Sequence, residues 1–177
     1  MANDQNPTSL TPDILIVDDE SANLQLLSEL LGRAGYQVRP ANNPQLAIDS
    51  ALGQPPKLIL LDVRMPEMDG FEVCRRLKQD ERTRDIPIIF ISALQDVQDK
   101  VRGFEAGGVD FISKPFQEQE VLARIRTHLN LRNMQLHLEQ RTTELRKLSQ
   151  ATENSPASVV ITDKKGNSGY NGLLYAH

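Results

Sequence analysis

Between Asp13 and about His128 the chain alternates five short apolar runs with five longer amphipathic stretches, and that alternation leaves few folds open. The runs are Ile14 to Asp18, Tyr36 to Pro40, Leu58 to Asp62, Ile86 to Ser92 and Val109 to Ser113. Periodic segments lie near Ala22 to Ala34, Pro44 to Leu52, Gly70 to Asp80, Asp96 to Ala106 and Gln117 to Asn130. In the first of these Leu24, Leu27, Leu30, Leu31 and Ala34 recur at spacings of three and four, which predicts a helix burying one stripe. Gly35 follows where that helix should stop, and Gly107-Gly108 repeats the punctuation before the last run. Leu58 to Leu61 and Ile86 to Ile91 are almost continuously apolar, as strands covered on both faces must be. Parallel strands need crossover connections, and those crossovers are right-handed. The expected fold is therefore α/β: a doubly wound, five-stranded parallel sheet with helices on both faces.

Acidic residues stand where these strands should end. Asp18 and Asp19 close the first run, Asp62 closes the third, and Lys114-Pro115 follows the fifth. In an open parallel sheet the carboxyl ends of the strands share one edge, where ligands bind at a topological switch point. Three carboxylates and one ammonium would converge there, and such a cluster needs a further cation. An all-oxygen donor set with no His or Cys suits a hard ion such as Mg²⁺. Because Mg²⁺ keeps waters and favours one or two carboxylates plus a phosphate, the edge is better suited to handling phosphoryl groups than to holding metal permanently. Lys114 can bind a phosphate oxygen or Asp62 itself, and Ser92, ending the fourth strand, can offer its hydroxyl to the same group. With Asp62 as nucleophile, the product would be an aspartyl phosphate.

Composition excludes several other classes. A net charge of -4 argues against broad nucleic-acid binding, which needs a basic face. Residues 1–11 are polar and lack the apolar core of a signal sequence, and no run approaches the length of a membrane span. A cytoplasmic location with no direct membrane contact is the expectation. The single cysteine, Cys74, shares a helical stripe with Phe71 and Leu77 and is expected to be a buried small hydrophobe.

Four motifs in order resemble the receiver domains of two-component response regulators. They are Val17-Asp18-Asp19-Glu20; Leu61-Asp62-Val63-Arg64-Met65-Pro66-Glu67-Met68-Asp69-Gly70; Ile91-Ser92-Ala93; and Phe111-Ile112-Ser113-Lys114-Pro115-Phe116. The resemblance covers about residues 12–128 and implies the strand order 2-1-3-4-5. It implies that Asp62 accepts phosphate from a histidine kinase or a histidine phosphotransfer protein. It also implies Mg²⁺ ligation by Asp19, Asp62 and the Arg64 backbone carbonyl, with Asp18 acting through a bound water. Ser92 and Phe111 would be the switch pair, the hydroxyl moving to the phosphate while the ring turns inward. Serine here replaces the family's usual threonine. Ala93 would leave the phosphate reachable, Arg64 and Leu94 would tune water access, and Lys114-Pro115 would be a cis peptide. Such a module is controlled by phosphorylation and is not an enzyme on external substrates, beyond its own phosphotransfer and dephosphorylation. The face made by the fourth helix, fifth strand and fifth helix would shift between two populations.

Plainer assignments compete. Asp18 and Asp62 could each cap a helix, Lys114 could be a surface lysine, and Asp69-Gly70 reads as turn and helix-start chemistry. Asp110 is expected to be solvated, and His128, His137 and His177 lack metal spacing and are expected at the surface. The alternative function is a Mg²⁺-dependent phosphatase or phosphotransferase forming an aspartyl phosphate. That chemistry normally wants a second acid two residues past the nucleophile, where Arg64 stands. His137 as a kinase phosphoacceptor is disfavoured because Leu138 follows it in place of an acid.

Lacking Gly or Pro, the stretch from Gln117 to about Glu153 can continue as one helix, longer than globular helices usually are. Leu131, Met134, Leu138, Leu145 and Leu148 form a coiled-coil-like seam, broken at Arg141, over residues 129–153. A parallel homodimer through this linker is the expectation, with a helix packed on its own domain as the competing possibility. Residues 154–167, with Ser158 to Thr162 as a strand and Asp163 to Asn167 as a turn, resemble the opening of a PAS sensor domain. The continuation, 168–177, does not keep that pattern and is expected to be disordered or foreign to the natural chain, with the remaining sensor and output domains missing.

Overall fold

The computed structural model describes residues 13–93 and 97–153. The expected N-terminal tail, the access-tuning role of Leu94, and the PAS-like and terminal segments fall outside those residues. In chain order the elements are β1 Asp13–Val17, α1 Ser21–Arg33, β2 Gln37–Ala41, α2 Pro44–Gly53, β3 Leu58–Asp62, α3 Gly70–Gln79, β4 Ile88–Ser92, α4 Val97–Glu105, β5 Asp110–Ser113 and α5 Glu118–Glu153. The strands form one parallel sheet in the order β2-β1-β3-β4-β5. The parallel sheet is the one expected from the alternation of runs, and its order is the one the receiver resemblance implies. Gly35 and Gly107, the two expected stops, follow α1 and α4 with φ of 87° and 99°.

Side-chain alternation along the strands builds two cores. Ile14, Ile16, Leu58, Leu60, Ile89, Ile91 and Ile112 pack with the α1 leucines and with Val121, Ile125 and Leu129 of α5. Leu15, Val17, Ile59, Leu61, Ile88 and Phe90 face the other way, onto α2, α3 and Ala106. Every residue of β3 and β4 is buried, which explains their unbroken apolar run. Cys74 is fully buried in the second core, its thiol donating to the Ala106 carbonyl at 3.2 Å, and burial pushes that thiol up to about 11.

The chain divides into two compact units between Leu136 and His137. The first contains the sheet. Of the second, the described residues are the helical stretch 137–153, in which Leu138, Leu145 and Leu148 are all exposed.

Candidate functional site

Register places the chemistry. Val17 pairs with Leu61, Asp62 with Ile91, and Ser92 with Ser113, so Asp18, Asp62, Ser92 and Lys114 reach the same edge. Pleat alternation sends Asp18, Asp62 and Lys114 toward the face that carries α1 and α5. One carboxylate oxygen from each of Asp18, Asp19 and Asp62 lies within 4.8 Å of the other two. Asp18 and Asp62 are buried while Asp19 is exposed.

The Lys114 ammonium stands between the two buried acids, 2.9 Å from Asp18 Oδ2 and 3.1 Å from Asp62 Oδ1. Hydrogen bonds to both carboxylates, acting against burial, hold its pKa above the usual lysine value. For Asp62 the balance falls the other way. Burial raises its pKa, the hydrogen bond and charge of Lys114 lower it, and repulsion from Asp18 and Asp19 raises it again, so the net shift is upward. One lysine does not neutralise three acids.

Asp18 is more fully satisfied than Asp62. Its Oδ1 accepts from the Glu20 backbone N–H at 2.9 Å, and the Asn23 amide donates to Oδ1 at 3.1 Å and to Oδ2 at 3.0 Å. Asn23 was not singled out from the sequence, yet an amide side chain in the first turn of α1, five after an acid, was the signal for it. The cap reading of Asp18 fails, since the N-cap of α1 is Glu20, with no side-chain cap, and the backbone N–H that Asp18 accepts from is that of Glu20, ahead of the helix. For Asp62 it fails too, because Asp69 caps α3 by accepting from Glu72 N–H at 2.8 Å.

The loop after Asp62 is folded tightly back. Glu67 takes φ 67°, a left-handed conformation unusual outside glycine. The Gly70 N–H reaches the Val63 carbonyl at 2.9 Å. A Cβ on Gly70 would overlap the Asp62 carbonyl oxygen, so no other residue lets α3 start this close to the acid. Arg64 is exposed, as is Ala93. Ser92 is buried, with its carbonyl accepting from the Lys114 N–H at 2.8 Å. Phe111 is half-buried, and Lys114-Pro115 is cis as expected.

Two expectations are corrected at the other end of β5. Asp110 is not solvated and His128 is not at the surface. The Asp110 carboxylate accepts from Arg124 Nη1 at 2.6 Å, from the Phe111 N–H at 2.8 Å, and lies 3.0 Å from His128 Nε2. The His128 side chain is only 14% exposed. The cause is helical spacing: Glu120, Arg124 and His128 fall four apart on α5 and line up over the start of β5.

A family comparison decides what the edge belongs to. The model of the response regulator receiver domain matches residues 14–126. The chain is a response regulator receiver. Among curated relatives, the "DNA-binding dual master transcriptional regulator RpaA" of Synechocystis is 46% identical over 124 residues, covering 67% of this chain and 49% of that protein. The "Response regulator PleD" of Caulobacter vibrioides is 41% identical over 135 residues, covering 76% of this chain and 30% of that protein. The chain thus spans about half or less of the length of the curated relatives it matches. A crystal structure of a putative response regulator from Chloroflexus aurantiacus superposes with a TM-score of 0.66 at 35% identity, covering 68% of this chain and 98% of that one. Among the described residues no helix is long and apolar enough to cross a membrane.

Proposed function

We propose that this receiver is a phosphorylation-controlled module in which Asp62 accepts a phosphoryl group from the phosphohistidine of a histidine kinase or phosphotransfer protein. A carboxylate oxygen of Asp62 forms the new O–P bond as the N–P bond of the donor breaks, and the imidazole keeps that electron pair. The observation that carries the reading is the charge imbalance of the edge: three carboxylates gather within 4.8 Å beside one lysine, and burial with acidic neighbours raises the pKa of Asp62.

That imbalance fits a hard divalent ion. Asp19 and Asp62, with the Arg64 carbonyl, would hold Mg²⁺, and Asp18 would act through water because Glu20, Asn23 and Lys114 already donate to its oxygens. The ion, when bound, offsets charge on the transferring phosphoryl oxygens. Lys114 supplies a second, fixed positive charge at the same oxygens, and the Ser92 hydroxyl supplies a hydrogen bond. Lys114 also holds Asp62 in place before transfer. Ala93 leaves the approach open, and exposed Arg64 stands where it can screen or admit water.

Downstream, the reading is that Phe111 follows Ser92 and shifts the face formed by α4, β5 and α5. The exposed stripe Leu131, Met134, Leu138, Leu145 and Leu148 would pair with a second copy in a parallel coiled coil, passing the shift to an output domain. Light scattering on a chain ending near Asn130 should then show a monomer where the full chain is a dimer. No feature favours the phosphatase alternative, since Arg64 occupies the position where an acid would be needed.

Intact-mass measurement after treatment with a small phosphoryl donor and Mg²⁺ tests the assignment. A labile single adduct is expected, absent from Asp62→Ala. An adduct that survives that substitution would refute it.

A further inference from the structure

A column of four rings runs from the interior to the surface of α4. Phe71 of α3 meets Phe90 of β4 edge-on at 5.1 Å between centroids, Phe90 meets Phe111 of β5 at 5.1 Å, and Phe104 of α4 meets Phe111 edge-on at 5.4 Å. Three consecutive residues of α4 grip that column. The Arg102 guanidinium lies 4.9 Å above the Phe71 ring, and Phe104 closes on Phe111. Between them Gly103 is buried, and a Cβ placed on it would overlap Cζ of Phe111, lie 3.0 Å from its Cε2 and 3.1 Å from Cε1 of Phe71.

A glycine inside a helix costs stability relative to alanine, so its presence here needs a reason. The reason on view is steric. Phe111 occupies the volume that any side chain at 103 would fill. The far end of the helix surface is apolar as well: Val97, Val101 and Phe104, spaced by four and three, are 72%, 49% and 53% exposed.

We infer that Gly103 is the seat of the Phe111 ring, and that Gly103 and Phe104 together make α4 the element that registers where this ring stands. The inference rests on the reading of Asp62 as phosphoacceptor and Phe111 as its responding ring, and it assigns the receiving end of that response to two residues of α4. If the ring leaves, α4 loses its contact through Phe104 and faces a gap at Gly103, so the helix and its exposed stripe must resettle.

The test uses the full chain in four forms: wild type, Gly103→Ala, Phe111→Leu and the double variant. Each is titrated with beryllofluoride and Mg²⁺ by NMR, and its denaturant midpoint is measured. The seat predicts that Gly103→Ala lowers the midpoint, although alanine is the better helix residue, and changes the half-saturating beryllofluoride concentration by about tenfold. In the double variant both effects should shrink toward those of Phe111→Leu alone, because the shorter side chain clears the seat. If Gly103→Ala does not fold, folding of the double variant supports the seat and its failure to fold overturns it. A raised midpoint with unchanged half-saturation, or strictly additive effects, also overturns it. Absence of any beryllofluoride response in the wild type would instead count against the phosphoacceptor reading, while the midpoints still judge the seat.

Discussion

The sheet has two acid clusters flanking β5, and they are balanced in opposite ways. At the carboxyl edge, Asp18, Asp19 and Asp62 gather while Lys114 pairs with Asp18 and Asp62, and the pKa of Asp62 is raised by burial and by its acidic neighbours. At the amino end of β5, Asp110 is met by Arg124, His128 and the Phe111 N–H, and those hydrogen bonds outweigh burial and hold its pKa below the usual carboxylate range. Both acids are shielded from water, and both sit next to a cation. What differs is the ratio of charge to countercharge. Strain left in a fold in this way points to function, whereas a satisfied ion cluster points to structure.

Changes in the cations should separate the two clusters most sharply. Lys114→Ala is expected to slow adduct formation at Asp62 by roughly a hundredfold or more, the usual size of losing one fixed transition-state charge. Initial rates with a small phosphoryl donor measure this, and an unchanged rate would make Lys114 a bystander. Arg124→Met removes the main partner of Asp110 and should destabilise the domain by about 1–3 kcal/mol while leaving the adduct rate within a few-fold of wild type. Denaturant melts alongside the same rate assay would show it.

Neutral isosteres should move stability in opposite directions. Asp62→Asn relieves a repelled acid and is expected to stabilise the unmodified domain by about 1 kcal/mol, whereas Asp110→Asn should destabilise it by about 1–2 kcal/mol. The same sign in both would erase the distinction. The smallest effect is in pH. Because the folded pKa of Asp62 is above its unfolded value, the native state holds the proton more tightly, and this group's contribution falls as pH rises from 3.8 through its folded pKa. Asp110, with a folded pKa below 3.8, contributes stability that is present above that value and lost as pH falls through its folded pKa. Wild-type minus Asp62→Asn and wild-type minus Asp110→Asn stability curves should therefore slope oppositely.

The unbalanced cluster was legible in the sequence and the balanced one was not. Asp18, Asp62, Ser92 and Lys114 each end or follow an apolar run, so the parallel-strand pattern alone carries them to one edge. Asp110 begins its strand, and its partners come from α5, 14 and 18 residues later, so only the packing angle of that helix brings them together. Asp69-Gly70 was correctly read as helix-start chemistry, but the reason for glycine, contact with the Asp62 carbonyl, is a tertiary fact. The same holds for Gly103, which helical periodicity marks merely as a weak point. The parallel sheet followed from the alternation of runs and its order from the receiver motifs, while the reach of α5 past Leu129 did not, since the Arg132 guanidinium still meets the Asp85 carbonyl.

Trapping the modified residue is the most direct test of the charge argument. After donor treatment with Mg²⁺, borohydride should reduce an aspartyl phosphate to homoserine, and peptide mapping should find that conversion at Asp62 and not at Asp18, Asp19 or Asp110. Conversion at any of those three, or no conversion when the donor and the ion are both present, would contradict the account.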